Sequence, residues 1–162
     1  MTSRVRYRVA QFRRTLSPRV ADEERREAEA VLGSLYPLFA AMQAADQRHC
    51  LDVYQLLRAD AETDTELLTA ALIHDAGKAG EGSARVRLWH RALLVILPDA
   101  LVRRFARGDG GFARLHRHGE QTLLLAREAG APDAVIELLS AMETHSPYDA
   151  RAARLVAADN AC

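Results

Sequence analysis

Apolar residues recur along the chain at intervals of three and four positions, the spacing that places them on one face of a helix. No segment alternates between apolar and polar residues for long enough to predict a strand. The predicted helices span residues 5–16, 22–32, 37–42, 45–57, 63–74, 83–97, 99–107, 117–129, 132–144 and 149–160. The pattern therefore predicts an all-α fold, a compact single-domain bundle of about eight to ten helices.

Local signals define several helix ends. Gly33 follows the second helix, where a capping glycine is favoured. Pro37 suits the first turn of the next helix. Thr63 and Glu66 have the spacing of a capping box, which predicts the start of the helix that runs to His74.

The N-terminal part of the chain is predicted to pack against the remaining residues. Residues 1–44 form a helical arm packed on the domain, and residues 45–162 form the domain itself. The first twenty residues carry six arginines and no acid. A packed arm is favoured there over a membrane-surface anchor. Helix 83–97 is the most hydrophobic and suits a core or oligomer contact, because its unbroken apolar run is much shorter than the ~20 residues of a bilayer span.

Composition narrows the function classes. The 22 basic and 22 acidic residues balance, so no overall field attracts nucleic acid, and specific nucleic-acid binding is not expected. Arginines are concentrated in residues 85–107, which fits a solvated face better than a phosphate-collecting rim. Cys50 and Cys162 give neither a disulfide framework nor a zinc-site spacing. Without a signal peptide or a membrane span, they predict a cytoplasmic protein.

The most reactive side chains follow an apolar helix end near residue 74. His74 and Asp75 form an N/O ligand pair that Mn, Fe, Co, Ni or Zn accept. Gly77 lets the backbone turn and approach a neighbour closely. Lys78 lies three residues after Asp75 and four after His74, which places it on the same helical face. The alternative interpretation is a plain helix C-terminus with a capping glycine.

Lys78 is the single lysine of a chain that has 21 arginines. A guanidinium is not equivalent to its compact, deprotonatable ammonium, so the exception indicates a specific use. A metal with a cation beside it suits a phosphate ester, because both neutralise phosphoryl oxygens while the metal acidifies a water. Lys78 and Asp75 are therefore the candidate catalytic residues.

This arrangement resembles the HD superfamily of metal-dependent phosphohydrolases. Its signature is a separate histidine, then His-Asp, often followed by x-Gly-Lys, and a distant aspartate. His49 precedes the pair at the usual distance, and Asp159 stands in the Ala-Ala-Asp context of the family. The resemblance covers residues 45–160 and implies an HD-type helical bundle. It also implies a set of four metal ligands, which are His49, His74, Asp75 and Asp159.

Members with two metal ions carry further histidines, and this chain matches them in part. His118 opens the corresponding pattern, with Gly119 where proline is usual and Thr122 where glycine is usual. Thr144 and His145 stand where such members have His-His. The resemblance therefore implies a second, more weakly held ion near Asp75, His118 and His145.

The resemblance implies hydrolysis of a phosphate mono- or diester, in a nucleotide or cyclic (di)nucleotide, by metal-activated water. Two imidazoles and two carboxylates favour Mn, Fe, Ni or Co over Mg. The expected partner is a small phosphorylated substrate. One alternative is a regulatory or binding module of the same fold that senses a nucleotide or a protein partner. Another is a structural helical protein with coincidental histidines, and the oligomeric state stays open.

Overall fold

The structure is a computed structural model that describes residues 19–79, 118–144 and 149–162. The predicted helices 5–16, 83–97 and 99–107 lie outside these ranges, as do the arginine-rich residues 85–107 and the candidate ligand His145. Every described element is helical, so the predicted all-α class is confirmed.

The helices are numbered here in chain order. They are α1 (Asp22–Leu32), α2 (Tyr36–Ala40), α3 (Ala44–Ala59), α4 (Thr65–Ile73), α5 (His118–Glu128), α6 (Asp133–Glu143) and α7 (Ala150–Ala161). Two short 3-10 turns, Gly33–Leu35 and Ala76–Lys78, follow α1 and α4. Within the described ranges, no helix is long and apolar enough to cross a membrane.

Helix α4 is the centre of the bundle. It contacts α1, α2, α3, α6 and α7. Its residues from Leu67 to Ile73 are all buried, which agrees with a sequence that is apolar on every side rather than on one stripe. Burial of one large aliphatic side chain contributes about 1.5–3 kcal/mol, so this helix is a major source of stability. Because its C-terminal end is buried, the residues that follow it also lie in the protein interior.

Helix α1 joins this core from the N-terminal side. Ala28 and Leu32 are buried in the shared core. Gly33 ends the helix with φ of +52°, a backbone conformation that glycine adopts without steric cost, as its position after the helix predicted. Polar contacts then tie α1 to α3, where Arg48 binds Glu24 at 2.7 Å and Tyr54 donates to Glu27 at 2.8 Å.

The predicted capping box at the start of α4 is wrong. The helix begins at Thr65, and the capping residue is Asp64, whose carboxylate accepts the backbone N–H of Leu67 at 3.0 Å. The reason lies two residues upstream of Asp64, where the Glu62 carboxylate accepts the backbone N–H groups of both Thr63 and Asp64. That turn places the Asp64 side chain, rather than the Thr63 hydroxyl, at the helix terminus.

Candidate metal centre

The His-Asp pair lies where α4 leaves the core. His74 follows the last residue of α4, and Asp75 precedes the turn Ala76–Lys78. His74 is 5% exposed and Asp75 is 1% exposed. Lys78 returns over this turn, and its Nζ lies 2.5 Å from Asp75 Oδ2. A buried carboxylate therefore has a cation on one side and an imidazole on the other.

Two distant helices complete the cluster. His49 projects from α3 and Asp159 from α7, and His49 Nε2 lies 2.8 Å from Asp159 Oδ1. His74 Nε2 is 3.4 Å from the same oxygen. His49 Nε2 is also 3.9 Å from Asp75 Oδ2. The structure thus brings together all four residues of the predicted mononuclear ligand set.

The predicted second-ion residues are only partly described. His118 begins α5, and its Nε2 lies 3.6 Å from Asp75 Oδ1. His145 lies outside the described residues. Thr144, which stands where a histidine is usual, is exposed, and its hydroxyl donates to the carbonyl of Ser140 in its own helix at 2.9 Å. The Thr144 hydroxyl is therefore bound within its own helix.

His74 is prepared to act as a ligand. Its Nδ1–H donates to the Ala71 carbonyl at 2.9 Å, so Nε2 carries the lone pair. Nε2 is buried, and among the described residues it has no hydrogen-bond partner. Such an orphaned acceptor is costly unless something binds it, and a carbonyl on the other ring nitrogen is the usual support of a ligating histidine. The donor set therefore fits a divalent cation.

The charges in the cluster favour a cation as well. Burial opposes ionisation of Asp75, but Lys78 and the surrounding histidines hold its pKa well below the usual range. The pKa of Asp159 is lowered in the same way, because the hydrogen bond from His49 and the nearby imidazole of His74 outweigh burial. Burial also opposes protonation of His74, yet the neighbouring Cys50 and the adjoining carboxylate of Asp75 raise the pKa of His74. An ion and a proton therefore compete for the same His74 lone pair, so ion binding should depend on pH.

A clasp that the sequence did not reveal holds the His-Asp turn in position. The hydroxyl of Thr122, in α5, donates to the carbonyl of His74 and accepts the N–H of Gly77, both at 2.9 Å. A Cβ at position 77 would overlap the His118 carbonyl oxygen and lie 2.7 Å from the Thr122 nitrogen. Gly77 therefore permits the close approach that was predicted for it, and its neighbour is the backbone of α5.

The sequence carried only a weak signal for Thr122. Its partners His74 and Gly77 lie 48 and 45 residues away along the chain, so no local pattern links them. The signal was its departure from the glycine usual at that position. Thr122 is 1% exposed, and a buried hydroxyl of this kind needs hydrogen-bond partners.

A cavity of about 240 Å³ opens beside the cluster. Its lining includes Lys78, His118 and Asp159 on the polar side and Leu139 and Met142 of α6 on the apolar side. A ligand in this cavity would contact the ammonium of Lys78 and also the cluster residues His74 and Asp159, which line it as well.

Comparison with known proteins agrees with this geometry. The family model described as HD domain matches residues 47–160, which is more than half of the chain. The chain belongs to the HD-domain family. The resemblance inferred from the sequence is thereby confirmed. No curated protein and no solved structure matches the chain significantly.

Membership in the HD-domain family indicates what such a cluster generally does. HD domains bind divalent metal ions and are typically metal-dependent hydrolases, with phosphohydrolases as the characteristic activity. His49, His74 and Asp159 offer ligand atoms that all lie within 4.8 Å of one another, and so do Cys50, His74 and Asp75. Cys50 approaches His74 at Nδ1, on the side away from Nε2. The first of these groups therefore fits an ion better than the second.

Proposed function

We propose that this HD-domain protein is a metal-dependent phosphohydrolase that acts on a phosphate mono- or diester in a nucleotide or cyclic (di)nucleotide. The observation that carries the proposal is the buried His74 Nε2, oriented by the Ala71 carbonyl and left without a hydrogen-bond partner among the described residues. It points to the place where the donors of His49 and Asp159 also meet. A purely structural histidine would have satisfied this atom.

The proposed ligands of the resident ion are His49, His74, Asp75 and Asp159. Two imidazoles make Mn, Fe, Ni or Co better suited than Mg, which prefers oxygen ligands. When bound, such an ion polarises a phosphoryl oxygen and acidifies a water molecule. A second, weaker ion is proposed near Asp75, His118 and His145, because Thr144 supplies no imidazole there.

Lys78 and Asp75 have separate proposed roles in addition to the ion. Lys78 lines the cavity, and we assign it to the phosphoryl oxygens, because an ammonium cannot ligate a cation. Asp75 orients Lys78 through the 2.5 Å contact while its other oxygen faces His118 and His74. Asp75 is therefore the proposed link between the ion and the phosphate-binding cation.

Cysteine usage supports the proposed cytoplasmic location. Cys50 and Cys162 form no disulfide bond with each other in the structure, and Cys50 is buried. Burial raises the pKa of the Cys50 thiol and keeps it protonated. Free thiols of this kind are stable in a reducing compartment.

The test combines metal content with turnover. The protein is purified without metal, reconstituted with Mn, Ni, Co or Mg, and assayed on nucleotides, cyclic nucleotides and cyclic dinucleotides. We expect one tightly bound transition ion per chain and release of phosphate or opening of the diester. His74→Ala and Asp75→Ala should abolish ion binding more completely than His145→Ala. An ion-loaded protein that binds nucleotides without hydrolysing any of them would instead support a regulatory module.

A further inference from the structure

One carboxylate in the cavity has no part in the proposed metal centre. Glu143, the last residue of α6, lines the cavity together with Lys78 and His118 and is exposed to solvent. It therefore lies where the cavity opens. Next to it along the cavity wall is Met142 of the same helix. Beyond the phosphate position, the cavity thus offers an apolar surface that ends in a negative charge.

Gly119 makes room for this carboxylate. A Cβ at position 119 would overlap Glu143 Oε2 and lie 2.8 Å from Oε1. Glycine in a helix costs about 0.5–1 kcal/mol relative to alanine, and α5 bears this cost in its first turn. This cost is explained if the Glu143 carboxylate must occupy the space that a side chain at position 119 would take. A purely structural explanation also exists, since a carboxylate is favourable near a helix N-terminus.

The charge of Glu143 constrains the substrate. A carboxylate accepts hydrogen bonds from hydroxyl and amino groups and repels a second phosphate. The neighbouring Met142 suits an organic group rather than a hydrated anion. Pockets that enclose a drug-sized ligand measure about 300–1,000 Å³, so a cavity of about 240 Å³ holds a phosphoryl group and only a small adjoining fragment.

We propose that Glu143 selects phosphate monoesters whose adjoining group is a hydroxylated organic moiety, such as the ribose of a nucleoside monophosphate, over substrates with a second phosphate there. This inference rests on the proposed function and refines its substrate class. Glu143 determines specificity by its interaction with the group that is bonded to the reacting phosphate. Repulsion of like charges is the discriminating element, as in other specific sites.

The experiment compares adenosine monophosphate with adenosine diphosphate on the Mn-loaded protein. In the diphosphate, the terminal phosphate is followed by a second phosphate instead of a hydroxylated sugar. We expect the wild type to prefer the monophosphate in kcat/KM, and Glu143→Gln to reduce that preference by about tenfold or more. Gly119→Ala should act in the same direction, because its Cβ displaces the carboxylate while Glu143 remains in the chain.

Glu137→Gln is the matched control. It removes the same charge from an exposed position on the same helix that does not line the cavity, so the preference should stay at the wild-type value. Calorimetric binding of the two nucleotides to the Mn-loaded protein gives the same ratio without turnover. If none of the nucleotides and cyclic (di)nucleotides in the assay of the proposed function is hydrolysed, that function fails, yet the binding ratio still decides the inference. A ratio that Glu143→Gln and Gly119→Ala leave unchanged, with or without a loss of stability, would overturn it.

Discussion

Position 77 has no side chain because the backbone of α5 leaves no space for one. Gly77→Ala must push the His118 carbonyl and the Thr122 amide away, and backbone atoms yield at high cost. We expect the free energy of unfolding to fall by about 1–3 kcal/mol, as for other overpacked sites. Gly119→Ala is the control, because the three atoms nearest to its Cβ all belong to the flexible end of Glu143. Urea unfolding measures both, and an equal effect of the two substitutions would contradict the assignment.

Thr122 bridges His74 and Gly77 with one hydroxyl. Thr122→Val keeps the shape but leaves two buried backbone groups without that partner, so we expect a loss of about 1–3 kcal/mol of stability. Metal affinity should fall with it, because the turn that carries His74 and Asp75 is released. Thr122→Ser retains the hydroxyl and should recover most of both quantities. Stability that falls while the metal dissociation constant stays constant would show that the clasp does not position the ligands.

At the scale of residues, the sequence predicted the members of the cluster better than their contacts. His49, His74, Asp75 and Asp159 could be named because their order along the chain is distinctive. The clasp could not, because Thr122 reaches its partners only after α5 has packed on the turn Ala76–Lys78. Contacts of that kind depend on tertiary packing and leave no periodic signal.

Helix α4 depends on Asp64 at its N-terminus. Burial opposes ionisation, but the Leu67 N–H and the guanidinium of Arg151 hold the pKa of Asp64 below its usual value. Because the folded-state pKa is lowered, the stabilisation is present above the unfolded value of about 4 and is lost as the pH falls through the folded-state pKa. Asp64→Ala should cost about 0.5–2 kcal/mol at pH 7.

Asp64→Asn separates the cap from the charge. Asparagine caps helices about as well as aspartate, so the helix start is retained while the ionisable group is lost. We expect the unfolding free energy of this variant to vary less with pH between neutrality and the acid range than that of the wild type. Denaturant unfolding at several pH values measures the slope. Parallel curves for the two proteins would contradict the role given to the Asp64 charge.

The positions of the described helices were predicted closely, and several of their ends differ from the prediction by one or two residues. The range 22–32 agrees with α1, and 149–160 differs by one residue at each end from α7. The start of α4 was misplaced because three polar residues in succession, Thr63, Asp64 and Thr65, are all acceptable caps. The Glu62 side chain decides among them, and its contact with Arg154 of α7 is again tertiary.

For the molecule as a whole, we propose that residues 1–44 fold cooperatively with residues 45–162. Ala28 of α1 is fully buried, whereas Ala30, two residues later, is exposed. Ala28→Asp places a carboxylate in the core and should cost about 3 kcal/mol or more. Ala30→Asp should stay within about 0.5 kcal/mol of the wild type. Thermal unfolding followed by two probes should show one transition. A separate early transition in Ala28→Asp would indicate an independent arm.

The all-α class was predictable because apolar residues recur at helical spacing in most of the described segments and no segment alternates with the period of a strand. Which helices meet was not, since α7 is far from α3 and α4 in sequence and each of these helices has several apolar neighbours. The ligand order of the HD-domain family supplied that missing information. The shared site implies that the helices bearing His49, the His74–Asp75 pair and Asp159 converge.

The single lysine gives the molecule one further property. An endoprotease specific for lysine has one cleavage site in this chain, and the cut falls immediately after the His-Asp turn. The Lys78 side chain is 13% exposed and engaged by Asp75, so cleavage must wait for the turn to open locally. The rate at which the two fragments appear on a gel therefore measures how often the turn at the metal centre opens. Any ion that occupies the site should lower the rate of cleavage after Lys78, and this measurement needs no substrate.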